Sequence, residues 1–80
     1  MTINLVLFGI AKDIVGSSRS QLEVAEGMLI SEFKQRLVNE YPRMKDLTSI
    51  SFAVGTAYVA DDYQLENNEE VVIIPPVSGG

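Results

Sequence analysis

Only one stretch of this chain carries apolar residues at helical spacing over three turns. Ile30, Phe33, Leu37, Val38 and Tyr41 fall on one side, and Glu32, Lys34, Gln35, Arg36, Asn39 and Glu40 fill the other, which predicts an amphipathic helix over residues 30–41. Pro42 sets its end near Tyr41, since the residue before a proline is held out of the helical region. Its start is less sharply marked. Ser31 is the available capping residue, yet Leu29 and Ile30 already read as helical and leucine caps poorly. A single helix covers one face of a four- or five-stranded sheet. The expected class is therefore α+β, with a mixed sheet packed on one main helix.

The rest of the chain supplies the strands. Residues 2–9 alternate, with Ile3, Leu5 and Leu7 on one face and Asn4, Val6 and Phe8 on the other, and Gly9 ends the run. Residues 10–16 read as a short helical turn closed by Gly16. Residues 18–24 form a weaker strand with Leu22 and Val24 inward and Gln21 and Glu23 outward. Residues 50–54 and a short return through Tyr58 and Val59 flank a Gly55-Thr56 turn. A polar loop, broken by Tyr63 and Leu65, runs from Asp61 to an Asn67-Asn68 turn. Residues 70–74 (EVVII) are the strongest strand. The expected order is β-β-α-β-β-β, which matches a β-grasp (ubiquitin-like) roll, a mixed sheet of four or five strands curled around the helix.

Composition narrows the chemistry. The chain has 80 residues and contains no cysteine, histidine or tryptophan. Disulfides, thiol nucleophiles and Cys-based metal sites are excluded, and with histidine go the commonest general base and metal ligand. The glycines match neither a P-loop nor a dinucleotide fingerprint. Asp61-Asp62 and Glu69-Glu70 read as solvated acids rather than metal ligands, so no metal site is expected. No apolar run approaches the ~20 residues of a membrane span, and no basic segment precedes an apolar one at the start. The expected setting is cytoplasmic, with no membrane partner.

The net charge of −5 is unevenly distributed: all six bases lie between Lys12 and Lys45, while residues 46–80 hold six acids and no base. Nucleic acid is disfavoured as a partner, since phosphate binding needs clustered Lys and Arg. The acidic half reads either as a solvated face or as a surface steered toward a basic partner.

Two strands are apolar on both faces. The face away from the helix is left with Phe8 and with either Val72 and Ile74 or Val71 and Ile73. Such residues are either scattered exposed side chains or a contiguous patch that binds another protein.

The last residues are the most informative. Pro75 and Pro76 cannot donate to a ladder, so strand pairing stops there, and two prolines favour a stiff extended spacer. From Pro76 to Gly80 the chain reaches ~13–14 Å, and Gly79 and Gly80 have no side chains. Such a peptide can thread a narrow channel and present its carboxylate to a buried site. The expected division is a β-grasp domain over residues 1–76 and an extended tail over 77–80. A carboxylate is a poor electrophile until activated, for instance as an acyl-adenylate, and this chain carries no residues to perform that activation.

With its ending E-V-V-I-I-P-P-V-S-G-G, the segment FGIAKDIVG (8–16) and the helix 30–41, the chain resembles the small-subunit family of molybdopterin synthase, ubiquitin-like sulfur carriers. The resemblance covers nearly the whole chain. The related thiamine-pathway carriers also end in Gly-Gly but usually lack Pro-Pro-Val. Gly55, where many members have Asn, and Asn67-Asn68 depart from the family at turns. The resemblance implies that a ubiquitin-activating-type adenylyltransferase uses ATP to activate Gly80. A sulfur donor system then makes the thiocarboxylate, and the tail enters the large subunit of a heterotetrameric synthase to sulfurate cyclic pyranopterin monophosphate. It implies Gly79 and Gly80 as the reacting end, Phe8, Tyr58, Ile74, Pro75, Pro76, Val77 and Ser78 as partner contacts, and no cofactor bound by this chain. Other readings are a carrier for thiamine or tRNA thiolation, a modifier forming isopeptides through Gly80, or an interaction module with a dispensable tail.

Overall fold

The alternation in the first strand places Ile3, Leu5 and Leu7 in the core and leaves Asn4 and Val6 half-buried on the opposite face. The computed structural model of the chain describes residues 1–46 and 50–75. Strands β1 (Thr2–Leu7), β2 (Arg19–Glu23), β3 (Ser51–Val54), β4 (Ala57–Val59) and β5 (Glu70–Ile74) form one sheet in the order β2-β1-β5-β3-β4. The central pair, β1 and β5, is parallel, and the other pairs are antiparallel. Helices α1 (Gly9–Val15) and α2 (Ile30–Glu40) and a 3₁₀ turn (Pro42–Asp46) complete the described elements. This is the expected β-grasp roll. No helix among the described residues is long and apolar enough to cross a membrane.

The backbone groups of β1 are divided between its two neighbours. Val24 N–H donates to the Met1 carbonyl and Leu7 N–H to the Ser18 carbonyl, on the β2 side, while Asn4 N–H donates to the Glu69 carbonyl on the β5 side. A central strand flanked on both edges leaves no backbone group to be satisfied by water.

The core lies between the sheet and α2. Ile30, Phe33 and Leu37 are buried at i, i+3 and i+7, and the Phe33 ring meets Phe52 of β3 edge-on, 6.1 Å between centroids at 69°, a favoured aromatic geometry. The strand alternation resolves the open choice in β5: Val71 and Ile73 are fully buried, and Val72 and Ile74 face the other way.

Three expectations change. The first strand stops at Leu7, two residues early, because Gly9 takes φ +54 and starts α1. That backbone is open to glycine and strained for a side chain, so Phe8 becomes the extended N-cap residue. The helix then ends as expected at Gly16, in the left-handed conformation, whose N–H donates to the Lys12 carbonyl.

The second change concerns the start of α2. The cap is Leu29, not Ser31, although leucine has no side-chain acceptor. Its place is made tolerable by a neighbouring loop. Ile30 N–H donates to the Tyr63 carbonyl at 2.9 Å and Ser31 N–H to the Asp61 carbonyl at 3.0 Å, so free donors of the first turn are met from outside the helix. The Glu32 carboxylate accepts from Leu29 N–H at 2.9 Å, the second half of a capping box.

The third concerns the segment read as polar loop. Leu65 is 2% exposed and belongs to the core, as does Met44 at 0% in the 3₁₀ turn. Leu65 N–H donates to the Met28 carbonyl, and Asn68, at φ +66, donates its N–H to Thr2. The Asn67 side chain accepts from Thr2 N–H. Glu69 is not a solvated acid: its carboxylate accepts from the Tyr63 hydroxyl and from Glu66 N–H, both at 2.7 Å. The bond to Glu69, then burial, then the charges of Glu69 and Glu66 push the Tyr63 phenol up to about 12.

Two outcomes follow. Leu65→Ala costs about 2–5 kcal/mol in chemical denaturation, as for a strand core residue, where a surface loop position would cost almost nothing. Folding holds the protonated Tyr63 phenol more tightly than the unfolded chain does. That stabilisation is complete below pH 10 and is lost as the pH rises toward about 12. Tyr63→Phe is therefore about 1 kcal/mol less stable at neutral pH and has a shallower loss of stability in alkali, measured by denaturant titration at each pH.

Candidate functional site

The sheet face turned away from α2 is divided along the strands. Paired residues share a face, so the registers place Arg19, Val6, Val72, Ala53 and Tyr58 in one row across all five strands. The row nearer the start of β1 and β5 is polar: Gln21, Asn4 and Glu70. The row nearer their ends carries Ile74, beside Ser51, and Phe8, one step beyond the Leu7–Ile73 pair. The face thus grades from polar to apolar in the direction in which β5 runs toward the tail.

The polar end is internally satisfied. Gln21 Nε2 donates to Asn4 Oδ1 at 2.9 Å and Asn4 Nδ2 donates to the Asn68 carbonyl at 3.2 Å. Arg19 pairs with Glu70 at 3.4 Å, with both side chains largely in solvent. These residues line an open depression of about 600 Å³. Among the described residues no charged or polar residue is buried and no buried side-chain polar atom lacks a partner. Tyr63 and Glu69, two partly desolvated titratable groups of the described body, are bonded to each other.

Of the sequence-predicted contacts, Phe8 and Ile74 stand at the apolar end and Tyr58 in the middle row. Phe8 is 55% and Tyr58 70% exposed, and Ile74 is half-buried. Tyr58 stands opposite Ala53, which stands opposite Val72, so the structure brings Phe8, Tyr58 and Ile74 to one face. Val6 and Val72 complete it, signalled by the apolar run on both faces of β1 and β5, and the buried Ala53 of β3 links Val72 to Tyr58. Pro75, half-buried, sits over Gly9: a Cβ at Gly9 would lie 3.6 Å from Pro75 Cγ. The other candidates, Pro76, Val77, Ser78, Gly79 and Gly80, lie outside the described residues.

The three glutamates of the C-terminal half do not lie at this end. Glu66, Glu69 and Glu70 precede or open β5, one strand length (~13 Å at 3.3 Å per residue) from the base of the tail. Glu70 is paired and Glu69 is turned inward.

Comparison with known proteins was made on this basis. A family model described as the ThiS family matches residues 5–80. The molybdopterin synthase sulfur carrier subunit of Arabidopsis thaliana is 28% identical over 79 residues, covering 98% of this chain and 82% of the relative. Among solved structures, the putative molybdopterin converting factor, subunit 1, from Pyrococcus furiosus superposes with a TM-score of 0.87 at 19% identity, over 96% of this chain and 99% of that one. SAMP1 from Haloferax volcanii, a small archaeal modifier protein, superposes at 0.83 and 19% identity over the full length of both. These structural likenesses extend the β-grasp assignment to the whole fold.

An exposed pair such as Arg19–Glu70 contributes little in water. Arg19→Ala changes stability by less than about 1 kcal/mol, and that small difference shrinks further in high salt, as measured by denaturation at two ionic strengths.

Proposed function

The chain belongs to the ThiS family, and from that premise we propose that it is the sulfur carrier subunit of a molybdopterin synthase, working in the cytoplasm. The observation that carries this reading is the ending E-V-V-I-I-P-P-V-S-G-G, continuous with a strand whose outer face is apolar. Support comes from curated relatives of that name that match nearly the whole chain, including those of Arabidopsis thaliana and Mycobacterium tuberculosis.

The chemistry centres on one carboxylate. A ubiquitin-activating-type adenylyltransferase joins the Gly80 carboxylate to the AMP moiety of ATP, with diphosphate as leaving group. A sulfur nucleophile from a donor system displaces AMP and leaves a thiocarboxylate. The tail then enters the large subunit, where the sulfur attacks cyclic pyranopterin monophosphate during dithiolene formation. This chain holds no cofactor in the cycle, and ATP is consumed by the activating enzyme. The catalytic side chains reside on the large subunit. What this chain contributes is a stable body, a docking face of Phe8, Tyr58 and Ile74, a Pro75-Pro76 spacer and a tail from Val77 and Ser78 to Gly79 and Gly80, slim enough for a narrow channel.

A second reading is a protein modifier that forms isopeptides with lysines through Gly80. It is favoured by the full-length structural likeness to a small archaeal modifier protein. Both readings use the same activated carboxylate and differ in whether sulfur or an amine attacks it.

Incubation with the cognate activating enzyme, ATP and a sulfur source gives the intact-mass gain of one oxygen replaced by sulfur, and deletion of Gly79 and Gly80 abolishes it. No gain with a competent enzyme would sink the carrier reading, and lysine conjugates in cells that vanish with Gly80 would establish the modifier. Ile74→Asp weakens large-subunit binding by about tenfold or more in calorimetry, because it places a charge on a desolvated contact. Its loss of fold stability is the smaller effect.

A further inference from the structure

Three large apolar side chains stand exposed among the described residues, Phe8, Tyr58 and Ile10, the last at 46%. Phe8 and Tyr58 belong to the sheet face. Ile10 does not: it lies in the first turn of α1. The helix buries Ala11 and packs Ile14 and Val15 against the core, the i, i+3, i+4 spacing of its inner stripe. Lys12 and Asp13, between them, are exposed. Ile10 therefore occupies a position on the side of the helix that is otherwise polar, and about half of it stays in solvent among the described residues.

Its place relative to the tail gives it a use. Gly9, the residue between Phe8 and Ile10, is the one against which Pro75 packs. The tail thus begins beside Gly9, whose two chain neighbours, Phe8 at the end of the sheet strand and Ile10 on α1, are both exposed. Five residues follow Pro75, and fully extended they reach only ~17 Å. A protein that takes Gly80 into an interior site must bring the mouth of its channel down toward Pro75, onto both flanks. A mouth seated on the sheet face alone would leave Ile10 in water beside a desolvated contact.

We infer that Ile10 is a partner-contact residue, and that Phe8 and Ile10 together form the apolar seat on which the partner's channel mouth closes around the base of the tail. The occupant is a protein surface with a narrow channel and an apolar rim. The inference rests on the carrier reading and extends its docking face from the sheet onto α1. Phe8 serves the sheet face and the seat at once, whereas Ile10 serves only the seat, so Ile10 is the residue that tests it.

The experiment measures the affinity of the full-length chain for its cognate large subunit by calorimetry, using wild type, Ile10→Asp, Ile10→Leu and Ile74→Asp. Ile10→Asp is expected to bind about tenfold more weakly, the loss typical of a charge forced into a desolvated contact, while Ile10→Leu stays within about twofold of wild type. Thermal melting and sedimentation of the isolated variants accompany the binding data. If Ile10→Asp melts well below wild type, Ile10→Gln replaces it and the same loss is required. If Ile10→Asp binds as wild type while Ile74→Asp is impaired, the seat is overturned and the sheet-face reading stands. Unchanged binding of both would overturn both. Self-association of wild type that Ile10→Asp abolishes would make the occupant a second copy of the chain, and would likewise overturn the proposal.

Discussion

The parallel pairing of β1 with β5 is the contact on which the rest of the molecule depends. It joins residues nearly seventy positions apart, Asn4 with Glu70 through Leu7 with Ile73. It also places the two most apolar strands in the middle of the sheet, where their inner faces meet α2. Because both strands run the same way, their ends coincide. Phe8 comes level with Ile74, and Gly9 comes under Pro75. An antiparallel pair would put the start of β1, with Thr2 and Asn4, beside the base of the tail. The coincidence of an apolar surface with the root of the tail thus follows from strand direction, and through it from hydrophobic burial of Leu5, Leu7, Val71 and Ile73.

The helix covering that pair is held by a segment without regular structure. Leu29 caps α2 only because the carbonyls of Asp61 and Tyr63 accept the first helical N–H groups. The loop carrying them is pinned at its far end by Leu65 in the core and by the Tyr63–Glu69–Glu66 hydrogen bonds. The loop then passes into β5 through Asn67 and Asn68, both bonded to Thr2. Helix start, loop and central strands therefore share one set of hydrogen bonds, and weakening the loop reaches the sheet through Thr2.

What could be read from the sequence was whatever had a period or a local backbone requirement. The helix 30–41 showed through the spacing of Phe33 and Leu37, the face of β1 through its alternation, and the helix stop at Gly16 and the turn at Asn68 through their residue types. The last strand showed its existence but not its orientation. With Val71 to Ile74 all apolar, period 2 cannot say which pair turns inward, and only the register with β1 and β3 decides. Met44 and Leu65 were illegible for another reason: each is a single apolar residue among polar neighbours, buried by tertiary contacts with no periodicity. The cap at Leu29 was illegible because its acceptors lie some thirty residues away. At the candidate site Phe8, Tyr58 and Ile74 were legible through resemblance to a family, whereas Ile10 needed the inner stripe of α1 to be known before it stood out. The uneven charge along the chain does not translate into halves of the surface: β1, from the first half, lies inside the sheet between strands of both halves.

The division of labour in such a molecule follows from its size and composition. A chain of 80 residues without histidine or cysteine has little interior in which to desolvate a catalytic group, and no charged or polar residue of its described body is fully buried. The proposed carrier cycle places the chemistry instead on a group that every chain possesses, the terminal carboxylate, and has it activated by a partner's active site. Two demands follow. The terminus must be narrow and must project, which glycine and proline provide. The body must tell one enzyme from another, although its fold is shared with carriers and modifiers alike. Since the reacting end is so plain, discrimination has to reside where the tail meets the body: in which apolar residues flank Pro75, and on which elements they stand. On the proposed reading, that gives Ile10, on a two-turn helix next to Gly9, a part in selecting the partner.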